Sequence, residues 1–166
     1  RFICRCRCHH QFVGGRWWFE VEMVKWQAQY WVKEEFACKC GCGRQEIYPS
    51  LVALADEVRT DIGVAMVCNS GLRCPSHNQA VGGSANSLHL PHGSLQQGYA
   101  GDFTFANPAL RSGINLLRLY VLFESYGRAD GNTGLGLYDT FIHVDLRGQL
   151  GMSSARWSGE FSWPNL

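Results

Sequence analysis

The sequence predicts one domain of mixed helices and strands, and three observations carry that expectation. Two stretches place apolar residues at helical spacing, three short apolar stretches are bounded by turn residues, and a long Gly/Ser/Asn/Pro-rich segment runs between them. At 166 residues the chain can bury a core without obligatory disulfides, so a single domain is the expected organisation. With 15 Lys and Arg against 14 Asp and Glu, the net charge of +1 lacks the basic footprint of a nucleic-acid binder. A neutral or peptidic partner fits better, and a monomer is expected. The longest apolar stretch, residues 114–123, is interrupted by Asn115 and Arg118, so no membrane span is expected. The chain opens on Arg1 without an apolar leader, which reads as a processed or truncated start and leaves secretion open.

Residues 1–35 mix cysteine, basic and aromatic residues without a clean period and read as an arm of unknown role ahead of a domain at 36–166. Cys4, Cys6, Cys8, His9 and His10 are rich in ligand atoms, yet no second group is spaced to match them. Trp17, Trp18, Trp26 and Trp31 are costly to leave in water, so part of the arm is expected to pack on the domain.

From Phe36 the pattern is orderly. Leu51, Leu54, Ala55, Val58 and Ile62 recur at spacings of three and four, with Pro49 early and Gly63 just beyond, which predicts a helix over 47–62. Residues 64–68 form an apolar strand candidate that ends in the Asn69-Ser70-Gly71 turn. Residues 75–101 suit a long loop carrying site residues on a rigid scaffold. A second strand is expected at 102–105. A second helix is expected over 108–126, its buried face being Leu110, Ile114, Leu117 and Val121, with Arg118 off that face. Residues 134–138 lead through a turn into a third strand at 141–146, where His143 and Asp145 share one face and Ile142 and Val144 point to the core.

Eight cysteines fall in three groups, Cys4/Cys6/Cys8, Cys38/Cys40/Cys42 and Cys68/Cys74. An oxidising compartment would make them disulfides, and a reducing one thiols or metal ligands. Cys-x-Cys-x-Cys departs from the usual Cys-x2-Cys zinc spacing, so disulfides or plain thiols are favoured over a second, structural metal site at Cys38, Cys40, Cys42 and Cys74.

The candidate for chemistry is a different set. Ser87-Leu88-His89 offers an imidazole, Gly98-Tyr99-Ala100-Gly101-Asp102 a carboxylate at the start of a strand, and His143 a second imidazole on a strand that can lie beside it. Two imidazoles, one carboxylate and an open fourth position form a catalytic zinc pattern. A lone histidine in an apolar strand is more often packed than ligating; the combination with His89 and Asp102 shifts that expectation. No phosphate-cradling glycine loop precedes a helix, so zinc is the only cofactor expected.

Read together, FACKCGCG, SGLRCPSHNQAVGG, NSLH, GYAGD, GLGLY, FIHVDLRG and ARW, between Phe36 and Trp157, resemble the zinc D-alanyl-D-alanine carboxypeptidases and their phage endolysin relatives, whose fold is shared with the hedgehog signalling domain. The resemblance implies an α+β domain, a small antiparallel sheet with flanking helices, and a zinc-dependent peptidase that uses metal-activated water on peptidoglycan stem peptides. It implies His89, Asp102 and His143 as zinc ligands. Arg73, sixteen positions before His89, would bind a substrate carbonyl or carboxylate, a type of contribution worth about 3–4 kcal/mol in well-studied hydrolases. A carboxylate must take the proton of the attacking water, and Asp145 is the first choice and Asp139 the second; either could instead orient a ligating histidine. The family spacing His-x6-Asp becomes twelve intervening residues here, between His89 and Asp102. A surface loop absorbs such length at little entropic cost, and the insertion brings His92 as a rival to His89, although Ser87-x-His89 keeps the motif. The resemblance leaves two functional classes: a cell-wall peptidase, either a phage lysin or an exported enzyme, and a non-catalytic peptide- or protein-binding module of the same fold.

Overall fold

The computed structural model describes residues 26–128 and 131–159, together with the backbone of a short antiparallel hairpin, β1 (Gln11–Val13) and β2 (Arg16–Trp18). Cys4, Cys6, Cys8, His9 and His10, and the side chains of Trp17 and Trp18, lie outside the described residues.

A five-stranded sheet forms the centre, built from β3 (Met66–Ser70), β4 (Ala100–Phe105), β5 (Gly134–Leu137), β6 (Ile142–Asp145) and β7 (Ala155–Ser158) in the spatial order β3-β4-β6-β5-β7. The first three pairings are antiparallel; β7 joins β5 in parallel. The fold is therefore α+β with a mostly antiparallel sheet. Each strand alternates its faces. Phe103 and Phe105 of β4, Ile142 and Val144 of β6 and Leu135 and Leu137 of β5 are buried on the face that meets the helices, together with Met66 and Cys68 of β3.

Two helices cover that face. Helix α1 (Pro49–Ile62) begins two residues inside the expected start, with Pro49 at its first position, and ends as expected at Gly63, which takes the left-handed conformation (φ 66°). It buries Leu51, Val52, Leu54, Ala55 and Val58. Helix α3 (Gly113–Gly127) buries Leu116, Leu119 and Phe123. Here the expected face was wrong: Ile114 is 45% exposed and Val121 57%. The reason is that residues 114–123 are apolar nearly all round, so spacing alone does not select a face, and Pro108–Leu110 belongs to a separate 3-10 turn that sets a false phase. Arg118 is exposed, as expected.

Beneath the sheet, Trp31, Phe36, Phe103 and Phe123 pack as an aromatic cluster with ring centroids 5.2–6.2 Å apart. Trp31 is 3% exposed, and Trp26 packs edge-on against Phe36 while donating its indole N–H to the Trp31 carbonyl at 3.0 Å. The core thus draws on residues from Trp26 onward. No helix among the described residues is long and apolar enough to cross a membrane.

The helical phase is directly testable. Leu119→Ala should cost about 2–5 kcal/mol in urea unfolding, whereas Val121→Ala should stay within about 0.5 kcal/mol. Equal losses at the two positions would mean that α3 presents a different face to the sheet.

Candidate metal centre

The opposite face of the sheet carries the polar residues, and strand register lines them up. Ser70 pairs with Asp102, Asp102 with His143, His143 with Gly136 and Gly136 with Trp157, so one row crosses all five strands. Partners in register project to the same side of a sheet. Asp102 and His143 are therefore neighbours by pairing alone, as period-two reading of the two strands anticipates. His89 arrives from the loop, whose path is set by backbone hydrogen bonds from Arg73 N to the His89 carbonyl (2.8 Å) and from Tyr99 N to the Leu88 carbonyl (2.8 Å).

The result is a triangle of potential ligand atoms. His89 Nε2 lies 3.2 Å from Asp102 Oδ1 and 3.2 Å from His143 Nδ1, and His143 Nδ1 lies 2.9 Å from Asp102 Oδ1. The outward atoms of these rings decide which nitrogens face inward as lone pairs. His89 Nδ1 must carry its proton, because it donates to the Gly71 carbonyl at 2.6 Å, and this leaves Nε2 as an acceptor. His143 Nε2 donates to Asp145 Oδ2 at 3.2 Å, so its Nδ1 is the free lone pair of the neutral ring. Three acceptors facing one another need a cation or a proton between them. The donor set, two imidazoles and a carboxylate with both imidazoles backed by acceptors, fits Zn2+.

Without metal, a proton fills part of that need. Burial alone would push His143 down, but hydrogen bonds to Asp102 and Asp145 raise it from 6.5 to about 9. Burial alone would raise the Asp102 carboxyl; the two histidines instead hold it well below the usual carboxylate range.

Asp145, the first choice as proton acceptor, lies behind His143 with its oxygens already engaged. It is 1% exposed, and five donors saturate its oxygens: Gly134 N, Arg147 N and Arg147 Nε on Oδ1, and His143 Nε2 and Arg147 Nη2 on Oδ2. Burial opposes ionisation, yet Arg147 and His143 keep this carboxyl far below its ordinary value. A Cβ at position 134 would collide with both the Asp145 carboxylate and Arg147, so the first glycine of GLGLY makes room for this pair. The second, Gly136, does the same for Trp157, whose ring lies 5.2 Å from that of His143 and donates from Nε1 to the Tyr138 hydroxyl at 2.9 Å.

Arg73 bonds Asp102 Oδ2 through Nη2 (2.9 Å) and Ser70 Oγ through Nε (2.8 Å), with Nη1 at 3.4 Å from Asn78 Oδ1. Its guanidinium thus reaches the carboxylate of the triangle. Asn78 comes from α2 (Pro75–Ala80), a short helix inside the stretch read as loop. Ser87 shapes the His89 turn, its hydroxyl accepting from His89 N at 3.3 Å. His92 stands apart from the triangle with Nε2 at 3.0 Å from the Ser87 carbonyl. Asp139 is exposed in the turn between β5 and β6. Arg147, Trp157 and Asn78 were not singled out by sequence reasoning, although FIHVDLRG and ARW contain the first two.

Because the folded-state value of His143 lies above its ordinary one, its proton stabilises the metal-free fold fully below pH 6.5. That contribution is lost as pH rises through about 9. Zinc uptake at neutral pH must displace this proton. Adding Zn2+ to chelated protein in weakly buffered solution at pH 7.5 should release about one proton per bound ion, and metal affinity should climb toward pH 9. Uptake at this site without proton release would mean that His143 is already deprotonated in the metal-free protein.

Neither the curated proteins nor the solved structures give a significant match to this chain. Residues 29–145 match the profile described as peptidase M15, a family of zinc-dependent peptidases, and this span takes in Arg73, His89, Asp102, His143 and Asp145. Since the match covers most of the chain and every member of the triangle, the protein belongs to the peptidase M15 family.

Proposed function

We propose that the protein hydrolyses the stem peptides of peptidoglycan, with zinc held by His89 Nε2, Asp102 Oδ1 and His143 Nδ1. The observation that carries this reading is the convergence of those three acceptors, within 3.2 Å of one another, beside a largely buried arginine. Zinc bound there supplies Lewis acidity, which brings the pKa of a bound water to about 7 and polarises a carbonyl.

The chain's own residues supply the rest. Asp145 positions His143 and, with Arg147, fixes its tautomer. Arg73 spends three of its five N–H groups on Ser70, Asn78 and Asp102, and the remaining two are available to a substrate carbonyl or carboxylate oxygen. About 15% of its side chain and 13% of that of His143 are open to solvent, which marks the side from which a peptide approaches. Trp157, Tyr138 and Phe141 form an aromatic wall next to His143, the last two stacked at 4.5 Å. With Asp145 saturated, proton transfer falls in this reading to Asp139, the exposed carboxylate at the entrance to β6.

Purified peptidoglycan, with products identified by mass, tests the proposal. Hydrolysis should be abolished by chelator, restored by Zn2+ and absent in His143→Ala. A terminal D-alanine as the sole product would mean a carboxypeptidase, and cross-link or stem fragments an endopeptidase. Metal bound by the triangle without turnover of any wall peptide would overturn the enzyme reading in favour of a peptide-binding module.

The two supporting residues separate by kinetics. Arg73→Ala should lower kcat by about 100- to 1,000-fold if its free N–H groups meet the developing charge. Asp145→Asn should weaken zinc affinity by about 10- to 100-fold, and excess zinc should recover most of the activity. An Asp145→Asn defect that zinc does not relieve would point to direct proton transfer.

A further inference from the structure

Outside the triangle, one cluster of metal-ligating side chains is unused by the chemistry above. The thiols of Cys38, Cys40, Cys42 and Cys74 lie within 4.8 Å of one another. Cys40 Sγ is 3.3 Å from Cys38 Sγ and 3.6 Å from Cys74 Sγ. We infer that these four cysteines bind a second, structural zinc ion, which fastens the 38–44 loop to the chain entering α2.

The backbone explains how an unusual spacing can serve. In an extended strand, Cys38, Cys40 and Cys42 would share a face but sit about 6.6–7 Å apart along it. Here Gly41 and Gly43 both adopt left-handed φ (79° and 78°), where glycine alone is unstrained, and the loop closes on itself through Cys38 N to the Arg44 carbonyl at 2.8 Å. The turn folds three alternating cysteines onto one point. Cys74 then comes from 34 positions beyond Cys40 to complete the set.

Distances favour an ion over disulfides. A tetrahedral site with Zn–S bonds of about 2.3 Å separates its sulfurs by about 3.8 Å, close to the two separations here. A disulfide needs about 2.05 Å and joins sulfurs two at a time, whereas Cys40 is shared almost evenly between Cys38 and Cys74. Backbone N–H groups already point at two of the sulfurs, Cys74 N at Cys38 Sγ (3.3 Å) and His77 N at Cys74 Sγ (3.4 Å). Such donors support thiolate ligands. Lys39 and Arg44 in the same loop offset part of the charge of four thiolates on one dication.

The location gives the ion a role. Cys74 directly follows Arg73, and Leu72 N bonds the Phe36 carbonyl at 2.9 Å, so the segment that aims Arg73 at Asp102 is tied on both sides to the chain at 36–38. Metal at the cysteines would hold that segment by coordination as well as by hydrogen bonds, and binding free energy of this kind adds to folding free energy.

Elemental analysis of the full chain purified under reducing conditions, with cobalt substitution read in the near ultraviolet, tests this. Wild type should hold one metal more than Cys42→Ser and one more than His143→Ala. The sulfur-to-cobalt charge-transfer band should survive in His143→Ala and collapse in Cys42→Ser. In wild type, titration with a mercurial thiol reagent should release this zinc as four thiols react, a readout that needs no variant to fold. A charge-transfer band unchanged in Cys42→Ser, or a reduced wild type without any sulfur-to-cobalt band, would overturn the inference. Failure of the triangle would show separately, as a metal count in wild type no higher than in His143→Ala.

Discussion

Three acceptor atoms held within 3.2 Å of one another are the constraint on which the polar half of this fold depends. Left alone, they repel, and burial in a poorly screened environment strengthens that repulsion. The surroundings answer it in two ways. Each ring is held from behind by an acceptor, the Gly71 carbonyl for His89 and Asp145 for His143, and each carboxylate is held by an arginine, Arg73 for Asp102 and Arg147 for Asp145. A cation at the centre would complete this arrangement of donors and acceptors. The proton that His143 retains to about pH 9 is what the same geometry captures when no metal is there.

This polar network is affordable because the sheet separates it from the core. Along β4, Asp102 and Phe103 are adjacent in sequence yet face opposite layers, one toward His143 and the other into the cluster of Trp31, Phe36 and Phe123. Apolar packing below holds the strands in register, and register alone sets Asp102 beside His143. A slip of one residue would send Asp102 into the core and Phe103 into the site. Core and site thus depend on the same pairing, and the aromatic cluster acts on the chemistry only through it.

How much of this was legible in the sequence follows from which signals are local. Helix α1 was, since Pro49 and Gly63 mark its ends and its apolar residues recur on one face only. Asp102 and His143 were, because strand alternation and turn residues bracket them. Helix α3 was legible in existence but not in phase, because an almost wholly apolar run fits several faces. The parallel strand β7 and the short α2 have no distinctive pattern of their own and are set by tertiary pairing. The supporting residues were harder. That Asp145 is saturated depends on Arg147 folding back two residues along the chain, in a space that exists only because position 134 lacks a side chain. The grouping of Cys38, Cys40, Cys42 and Cys74 was named but ranked below disulfides or plain thiols for a similar reason: spacing rules assume the usual turn, and here two glycines make a different one.

The twelve residues between His89 and Asp102 form a long connection that still leaves the two side chains 3.2 Å apart. Residues 92–97 fold back on themselves, with His92 N bonded to the Gln97 carbonyl at 2.8 Å and Gln97 N to the His92 carbonyl at 3.0 Å. Gly93 (φ 67°) and Gln96 (φ 52°) take the left-handed conformations that so tight a return requires. The excursion leaves and rejoins the loop at nearly one point, so the chain on either side meets the sheet as a short connection would, with Tyr99 N still paired to the Leu88 carbonyl. His92 is drawn into this closure and toward the Ser87 carbonyl, outside the group formed by His89, Asp102 and His143. What the added residues change is the surface beside the site. Leu95 stands 70% exposed at the tip, and Tyr99 at the base is stacked on Tyr48 at 4.6 Å. Residues 92–97 therefore add exposed surface without entering the group of His89, Asp102 and His143.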